Sequence, residues 1–349
     1  MFVTNYTDIL NLVENIHPLK YAKSRNYIDG NVTRLSPYVS RGVISTKQIL
    51  NSVLQKGYKP FEIEVFLKEL AWREYFQRVW IAKGNEIDND IKFAQEYVVN
   101  HELSSCIIEH RMGIEALDKG IEDLYTTGYL HNHLRMYIAS VCCNISRAHW
   151  YTPAKWMYYY LLDADWASNA LSWQWVAGTF SNKKYYANQE NINRFCYTHQ
   201  QKTFLDVSYE NLVEMNVPEI FEDTVLPLLK TKLPERTNII INSDLPICVY
   251  NFYNLDSNWM QNIDANRILL LEPNFFNKYP VCDKTIQFVL DLSRNINNIQ
   301  IAVGEFDEVF KNTPEEKINF KEHPTNNHYK GIEHSREWIF GEVKGYYPS

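Results

Sequence analysis

The chain has 349 residues, 45% of them hydrophobic and 22% charged, with 24 Tyr, 17 Phe, 9 Trp and a formal net charge of −7. It contains no apolar run of about 18 residues, so no membrane-spanning helix is expected, and its start lacks the basic-then-apolar pattern of a secretory leader. The six cysteines (Cys106, Cys142, Cys143, Cys196, Cys248 and Cys282) are scattered without a CxxC pair, which argues against a metal site or a disulfide framework and fits a reducing cytoplasm.

Net acidity at first argues against nucleic acid, but it is unevenly placed. Residues 1–199 carry 21 Lys+Arg and 20 Asp+Glu, a net of +1, which leaves 14 and 22 of the chain's 35 and 42 for residues 200–349, a net of −8. A local basic face on the first part is compatible with this balance.

Residues 1–200 read as helical. Apolar residues recur at three- and four-residue spacing over 62–82, 113–124, 129–148 and 153–177. The character changes near 225–237. Short β-branched runs follow at 239–241, 247–250, 267–271 and 301–303, with a helical stretch at 284–295 between the last two. This alternation predicts a small α/β unit with some parallel pairing. From Thr313 onward the chain reads as polar and irregular. The expected organisation is mainly α: a helical domain over 1–233, then a small α/β unit over 234–349 of unassigned role.

Four segments carry polar and aromatic residues in arrangements suited to chemistry. The first, 20–36, sets Asn31, Thr33 and Ser36 beside Arg34, a loop able to hold a phosphate; it also reads as an ordinary helix cap. In the second, 66–80, Glu69, Trp72 and Arg73 fall at i, i+3 and i+4 and share a helical face. A Trp between charges can stack on a base, or simply be core beside a surface ion pair. The third, 127–136, brings Asn132, His133, Arg135 and Met136 into an apolar helix. Arg135 there calls for a carboxylate partner, with Asp163 and Asp165 the candidates. The fourth, 163–175, reads DADWASNALSWQW and places two carboxylates, a carboxamide and three tryptophans on about three helical turns. Asp163, Asp165 and Asn169 suit the edge of a flat heteroaromatic ring. Trp173, with Trp150 upstream, can lead electrons away from it. Any single tryptophan also reads as core.

Together and in this order, the four segments resemble the DNA photolyase/cryptochrome family over roughly residues 15–200. The fourth is the most specific, following the family pattern Asp-x-Asp-x-x-x-Asn and then Trp-x-Trp. The resemblance implies a helical photolyase-type domain that binds FAD. It implies that Tyr21 and the stretch Val32, Thr33, Arg34, Leu35 and Ser36 contact the phosphate side, and that Phe66 (where a Trp is common) and Arg73 add flavin contacts. Asn132 stands between flavin adenine and lesion. Arg135 and Asp163 form an ion pair beside the isoalloxazine, Asp165 touches ring or ribitol, and Asn169 faces flavin N5. An amide cannot protonate N5, which favours an anionic or fully reduced working state. For DNA, the resemblance implies Trp72 and Trp175 clasping a flipped cyclobutane dimer, Glu69 bonding its bases, and Arg25, Asn132, His133 and Met136 on the DNA side. Trp173, Trp150 and, near the third place, Tyr97 would form the electron wire, while Trp166 is expected in the core.

The chain also departs from the family pattern. His133 replaces an Arg, and Ala170, Leu171 and Ser172 replace Asn-Gly-Gly. The family's N-terminal α/β antenna domain is not expected, nor an antenna chromophore site. The implied function is light-dependent repair of cyclobutane pyrimidine dimers in UV-damaged DNA, with a cryptochrome-like blue-light receptor signalling through a protein partner at the C-terminal unit, or (6-4) photoproduct repair, as alternatives.

Overall fold

A computed structural model describes residues 2–341. The chain is mainly helical, with a small α/β part toward its C-terminus. It divides into two compact units that do not follow the composition shift at 233/234. One joins the residues up to Leu19, Thr33–Ile81 and the chain from Lys230 onward; the other is Lys20–Val32 with Ala82–Leu229.

In the first unit, helix Tyr6–Glu14 is capped by the Asn5 side chain, which accepts from the N–H groups of Thr7 and Asp8, and helix Thr46–Gln55 starts with a capping box of Ser45 and Gln48. Helix Glu64–Lys83 buries Phe66, Glu74, Gln77, Val79 and Trp80. The α/β part is a five-stranded, all-parallel sheet. Its spatial order is Ile299–Val303, Asn266–Leu271, Ile247–Tyr250, Ile318–Lys321 and Ile332–His334. The two strands Ile247–Tyr250 and Asn266–Leu271 are buried throughout, which explains the apolar runs at 247–250 and 268–271.

Two expectations are corrected here. Residues 239–241 form no strand, although Ile239 and Ile241 pack on the sheet's core. The stretch after Thr313 is not irregular throughout, since it supplies Ile318–Lys321 and Ile332–His334. A parallel strand in mid-sheet gains its ladder from neighbours on both sides, so a run as short as INFK needs no strong local signal. The last stretch of that C-terminal region, 342–349, lies outside the described residues. The sheet changes winding direction between Ile247–Tyr250 and Ile318–Lys321. Just past the carboxyl end of Asn266–Leu271, buried Glu272 accepts from the Tyr329 hydroxyl at 2.9 Å, the Phe306 N–H at 3.0 Å and His328 Nε2 at 2.8 Å.

The sheet is fused to the N-terminal helices of its unit. Trp80 meets Tyr253, Tyr279 and His323 edge-on, and the Arg41 guanidinium lies 3.5 Å from the centre of the Phe252 ring. The segment after the last strand straps helix Glu64–Lys83. Arg336 bonds Gln77 at 2.8 Å and forks onto Glu322 at 3.0 Å, and Arg78 donates to the Phe340 carbonyl at 2.7 Å. Buried Glu74 accepts from Thr46 Oγ1 at 2.8 Å and from the N–H groups of Ile339 at 2.6 Å and Phe340 at 3.3 Å.

The second unit packs helices Glu115–Thr127, Asn132–Ser140, Tyr151–Tyr160 and Trp166–Ala177, with a π turn at Val141–Ile145. The single helix expected over 153–177 is two. It breaks after Tyr160 and restarts at Trp166, with Asp165 as N-cap. Gly128 (φ 71°) ends helix Glu115–Thr127, and a Cβ on it would lie 2.7 Å from Leu162 Cγ. Only glycine lets the break approach so closely, and the Leu162 N–H donates to the Gly128 carbonyl at 2.8 Å. Among the described residues no helix is long and apolar enough to cross a membrane.

Glu74→Ala should strand two strap N–H groups and the Thr46 hydroxyl, lowering stability by about 2 kcal/mol or more. Urea unfolding checks this, with exposed Glu64→Ala as the control expected to leave the midpoint unchanged.

Candidate flavin and DNA site

The second unit brings Arg135 and Asp163 together. Arg135 lies one turn into its helix and donates from Nη2 to Asp163 Oδ2 at 2.9 Å and from Nη1 to Oδ1 at 3.3 Å, while its Nε holds the Leu130 carbonyl at 2.9 Å. Asp163 can answer because the helix has broken at that point: its carboxylate is buried and its backbone lies between two helices. Asp165, also buried, spends one oxygen on its own helix, Oδ1 accepting from the Ser168 N–H at 2.8 Å. Asn169 is 8% exposed and its Nδ2 donates to the Ala154 carbonyl at 2.8 Å. That bond fixes the amide and leaves its oxygen as the end that accepts.

One residue absent from the sequence-based set belongs with these. Ser168 Oγ is buried and has no hydrogen-bond partner. An orphaned buried hydroxyl costs about 1–3 kcal/mol, and this one adjoins Asn169 on a helix capped by a carboxylate. Buried donors and acceptors in this mix fit the polar edge of a flavin ring. A lone Ser among small helical residues carries no signal in sequence.

The tryptophans separate by environment. Trp150 and Trp173 are buried. Trp150 Nε1 donates to Asp90 Oδ1 at 2.7 Å, and the same carboxylate takes His149 Nε2 at 3.2 Å and the Gln95 N–H at 2.8 Å. Burial works against the Asp90 charge, but these bonds outweigh it and hold its pKa below the ordinary carboxylate value. Trp166 is core, as expected, and donates to Asp88 Oδ1 at 2.7 Å. Trp175 is 40% exposed and leans on Tyr185, with ring centres 5.6 Å apart. Tyr97 is 72% exposed, with a backbone φ of 60°, and its ring lies 5.0 Å from the Lys184 ammonium and 6.0 Å from the Arg147 guanidinium.

On helix Asn132–Ser140, Asn132 is exposed and donates toward Met136 Sδ at 3.6 Å. His133 is half-buried, 5.3 Å from the Phe195 ring. Desolvation, then His131 and Arg25, lower its pKa to about 4. It is therefore neutral near pH 7 and supplies no cation where the family has Arg. Tyr21 and Val32 are half-buried, and so is Arg25, whose N–H bonds the Tyr21 carbonyl at 2.9 Å.

The first unit holds the remaining residues. The Thr33 hydroxyl accepts from the Leu35 N–H at 3.4 Å, Arg34 is exposed with φ 53°, Leu35 is buried, and Ser36 opens helix Ser36–Ser40. Phe66 is buried, Glu69 and Arg73 are half-buried, and Trp72 is 51% exposed. The Trp72 ring packs against Tyr75 and Phe76, at 5.5 and 5.7 Å.

Two measurements test this geometry. Arg135→Met should destabilise by about 3 kcal/mol in urea unfolding, because it leaves the Asp163 carboxylate buried without its partner. The double variant Arg135→Met/Asp163→Leu should recover much of that loss. For His133, the lowered folded pKa means that the unfolded chain binds a proton first. Stability attributable to His133 is thus complete above about pH 6.5 and is lost as pH falls toward about 4. His133→Asn should flatten unfolding midpoints across that window.

Comparison with known proteins agrees with the fold and the motifs. Residues 66–231 match the FAD-binding domain of DNA photolyase. The chain is 31% identical over 148 residues to the deoxyribodipyrimidine photo-lyase of Alkalihalophilus pseudofirmus, covering 42% of this chain and 31% of that protein. It is 27% identical over 187 residues to Cryptochrome-1 of Arabidopsis thaliana, covering 50% and 27%. It thus spans about a third of the length of the curated relatives it matches. A cryptochrome structure from Synechocystis sp. superposes with a TM-score of 0.51 at 22% identity, over 56% of this chain and 44% of that one. An archaeal photolyase from Sulfolobus tokodaii, solved with two FAD molecules, gives 0.50 at 22% identity, over 65% and 54%. At that identity the two structures speak for the fold. Residues 66–231 thus carry the FAD-binding domain of DNA photolyase, and over that stretch the chain is similar to both photolyases and cryptochromes.

Proposed function

We propose that the protein is a light-dependent DNA repair flavoprotein acting on cyclobutane pyrimidine dimers, a deoxyribodipyrimidine photo-lyase. The observation that carries this reading is Asn169. Its amide nitrogen is tied to the Ala154 carbonyl, so a carboxamide oxygen is presented, which accepts a hydrogen bond and has no proton to deliver. This suits a flavin kept reduced for electron donation, and the named photo-lyase relatives point the same way.

Bound FAD would supply a light-excited electron donor. The residues proposed to hold it are Tyr21, Val32, Thr33, Arg34, Leu35, Ser36, Phe66, Arg73, Asn132, Arg135, Asp163, Asp165 and Asn169, and Ser168 joins them. The Arg135–Asp163 pair sets a fixed dipole in a buried position, where electrostatic interactions are strong. Trp72 and Trp175 keep indole faces open to solvent, as stacking on an extruded base requires. Glu69 is proposed to bond the dimer's bases, and Arg25, His133 and Met136 to line the strand. The dimer takes up one electron, its cyclobutane C–C bonds open and the electron leaves, so the reaction is a lyase with no net redox change. Trp173, Trp150 and Tyr97 are proposed to re-reduce the cofactor.

The second reading, a cryptochrome-like receptor with a protein partner at the α/β part, draws on His133, which lacks the positive charge that a phosphate would meet.

Illuminating the reduced, FAD-loaded protein with an oligonucleotide containing one thymine dimer should restore thymine absorbance. FAD bound without light-dependent dimer loss would sink the repair reading and favour the receptor. Glu69→Ala should slow repair about tenfold or more with FAD still bound. Trp173→Phe should slow photoreduction of oxidised cofactor and spare repair by protein reduced beforehand.

A further inference from the structure

The helices Glu115–Thr127 and Trp166–Ala177 end on glycines in the left-handed region, Gly128 and Gly178. Helix Gln189–Cys196 ends instead on Tyr197, a bulky residue at φ 56° and ψ 34°. Glycine takes this conformation freely and an aromatic residue does not. Strain held in a folded protein is a pointer to use.

The Tyr197 ring is put to a definite place. It is 56% exposed and stacked on half-buried Tyr27, with centroids 5.5 Å apart and planes 20° from parallel. Phe195 closes the cluster edge-on to Tyr27 at 5.1 Å. The Ile28 N–H donates to the Phe195 carbonyl at 3.0 Å, which ties the turn bearing Tyr27 to the helix end bearing Tyr197. The Asp29 carboxylate lies near the Tyr197 hydroxyl. The exposed Arg194 guanidinium lies 5.2 Å from the Phe195 ring. Phe195 also touches His133, and Arg25 lies close enough to help depress the His133 pKa. The aromatic cluster is thus continuous with residues proposed to line the DNA strand. Rigid aromatic faces with arginines beside them are the means by which proteins hold unpaired bases and their phosphates.

We propose that the Tyr27–Tyr197 stack is a platform for an unpaired nucleobase of the DNA strand flanking the lesion, with Arg194 and Arg25 beside it for the backbone. The inference rests on the DNA reading of the previous subsection and assigns to that surface a second, sequence-tolerant contact.

The test uses the full chain loaded with FAD, kept dark, with affinity read by fluorescence anisotropy. The probes are a single-stranded oligonucleotide with one central thymine dimer and the isolated dimer dinucleotide as competitor. Tyr197→Gly relieves the backbone strain, so its thermal midpoint should equal or exceed that of the parent. Its affinity for the long oligonucleotide should fall about fivefold or more, the scale of one lost stacking contact. Its affinity for the dinucleotide should stay unchanged, and Tyr197→Trp should restore the long-strand affinity. Tyr27→Ala should behave like Tyr197→Gly. If both variants hold the long oligonucleotide as tightly as the parent does, the platform is refuted while DNA binding stands. If the parent itself binds neither probe, the DNA reading falls and the platform with it.

Discussion

The Arg135–Asp163 pair is the constraint around which the second unit is arranged. A bidentate guanidinium–carboxylate contact needs both side chains at a fixed angle, and Asp163 reaches it only because helix Tyr151–Tyr160 stops three residues earlier. The break then has to be paid for in backbone hydrogen bonds. Leu162 gives its N–H to Gly128, and Asp165 caps the restart of the chain at Trp166. The restart in turn sets the rotation of the last helix. With Asp165 at its cap, Ser168 and Asn169 fall in its first turn and face buried surroundings, and Trp173 and Trp175 follow on opposite sides, one buried and one exposed.

The first unit depends in a comparable way on buried Glu74. A carboxylate in an apolar helix face is tolerable only when its lone pairs are filled, and here Thr46 and the strap from Ile339 to Phe340 fill them. The helix that carries Glu69, Trp72 and Arg73 on its more open side is therefore held from its other side by the segment that follows the parallel sheet. This gives the α/β part a physical role within its own unit. It fixes the rotation of a helix on which Glu69, Trp72 and Arg73 lie one to five positions from the clasp.

Much of this was legible in the sequence, for reasons that differ by element. The Asp-x-Asp-x-x-x-Asn…Trp-x-Trp run carries chemistry in residue types that a core does not favour, so it stood out. The Arg135 carboxylate partner followed from the expense of an isolated charge, and Asp163 filled it. The helical break at 161–165 was not legible, because LLDAD has no Gly or Pro; a tertiary ion pair and a cap decide it. Of the strands after Thr313, Ile318–Lys321 was missed because the interior of a parallel sheet is specified by neighbours rather than by alternation, and Ile332–His334 because it is a three-residue, largely exposed edge strand. The discontinuous units could not be read at all, since composition shifts where the sheet begins, whereas packing joins the sheet to helices from the start of the chain. Ser168 was invisible because its one distinction, an unsatisfied hydroxyl, exists only in three dimensions.

Electrostatics also sorts the aromatic residues in a way that spacing alone did not. An indole that gives up an electron becomes a cation, and a carboxylate hydrogen-bonded to its N–H stabilises that state. Trp150 has such a partner in Asp90, whose charge is kept by His149 and the Gln95 N–H, and Trp166 has one in Asp88. Tyr97 stands in the opposite field, with Lys184 and Arg147 near its ring. In the repair reading a positive hole arriving at Trp150 is thus held there and disfavoured at Tyr97, where oxidation would have to release the phenolic proton. That proton has an outlet, because Tyr97 is open to water, whereas Trp150 is sealed from it. In that reading the carboxylate beside Trp150 favours a long-lived charge on a buried ring, and the cations beside Tyr97 favour a neutral radical at the surface.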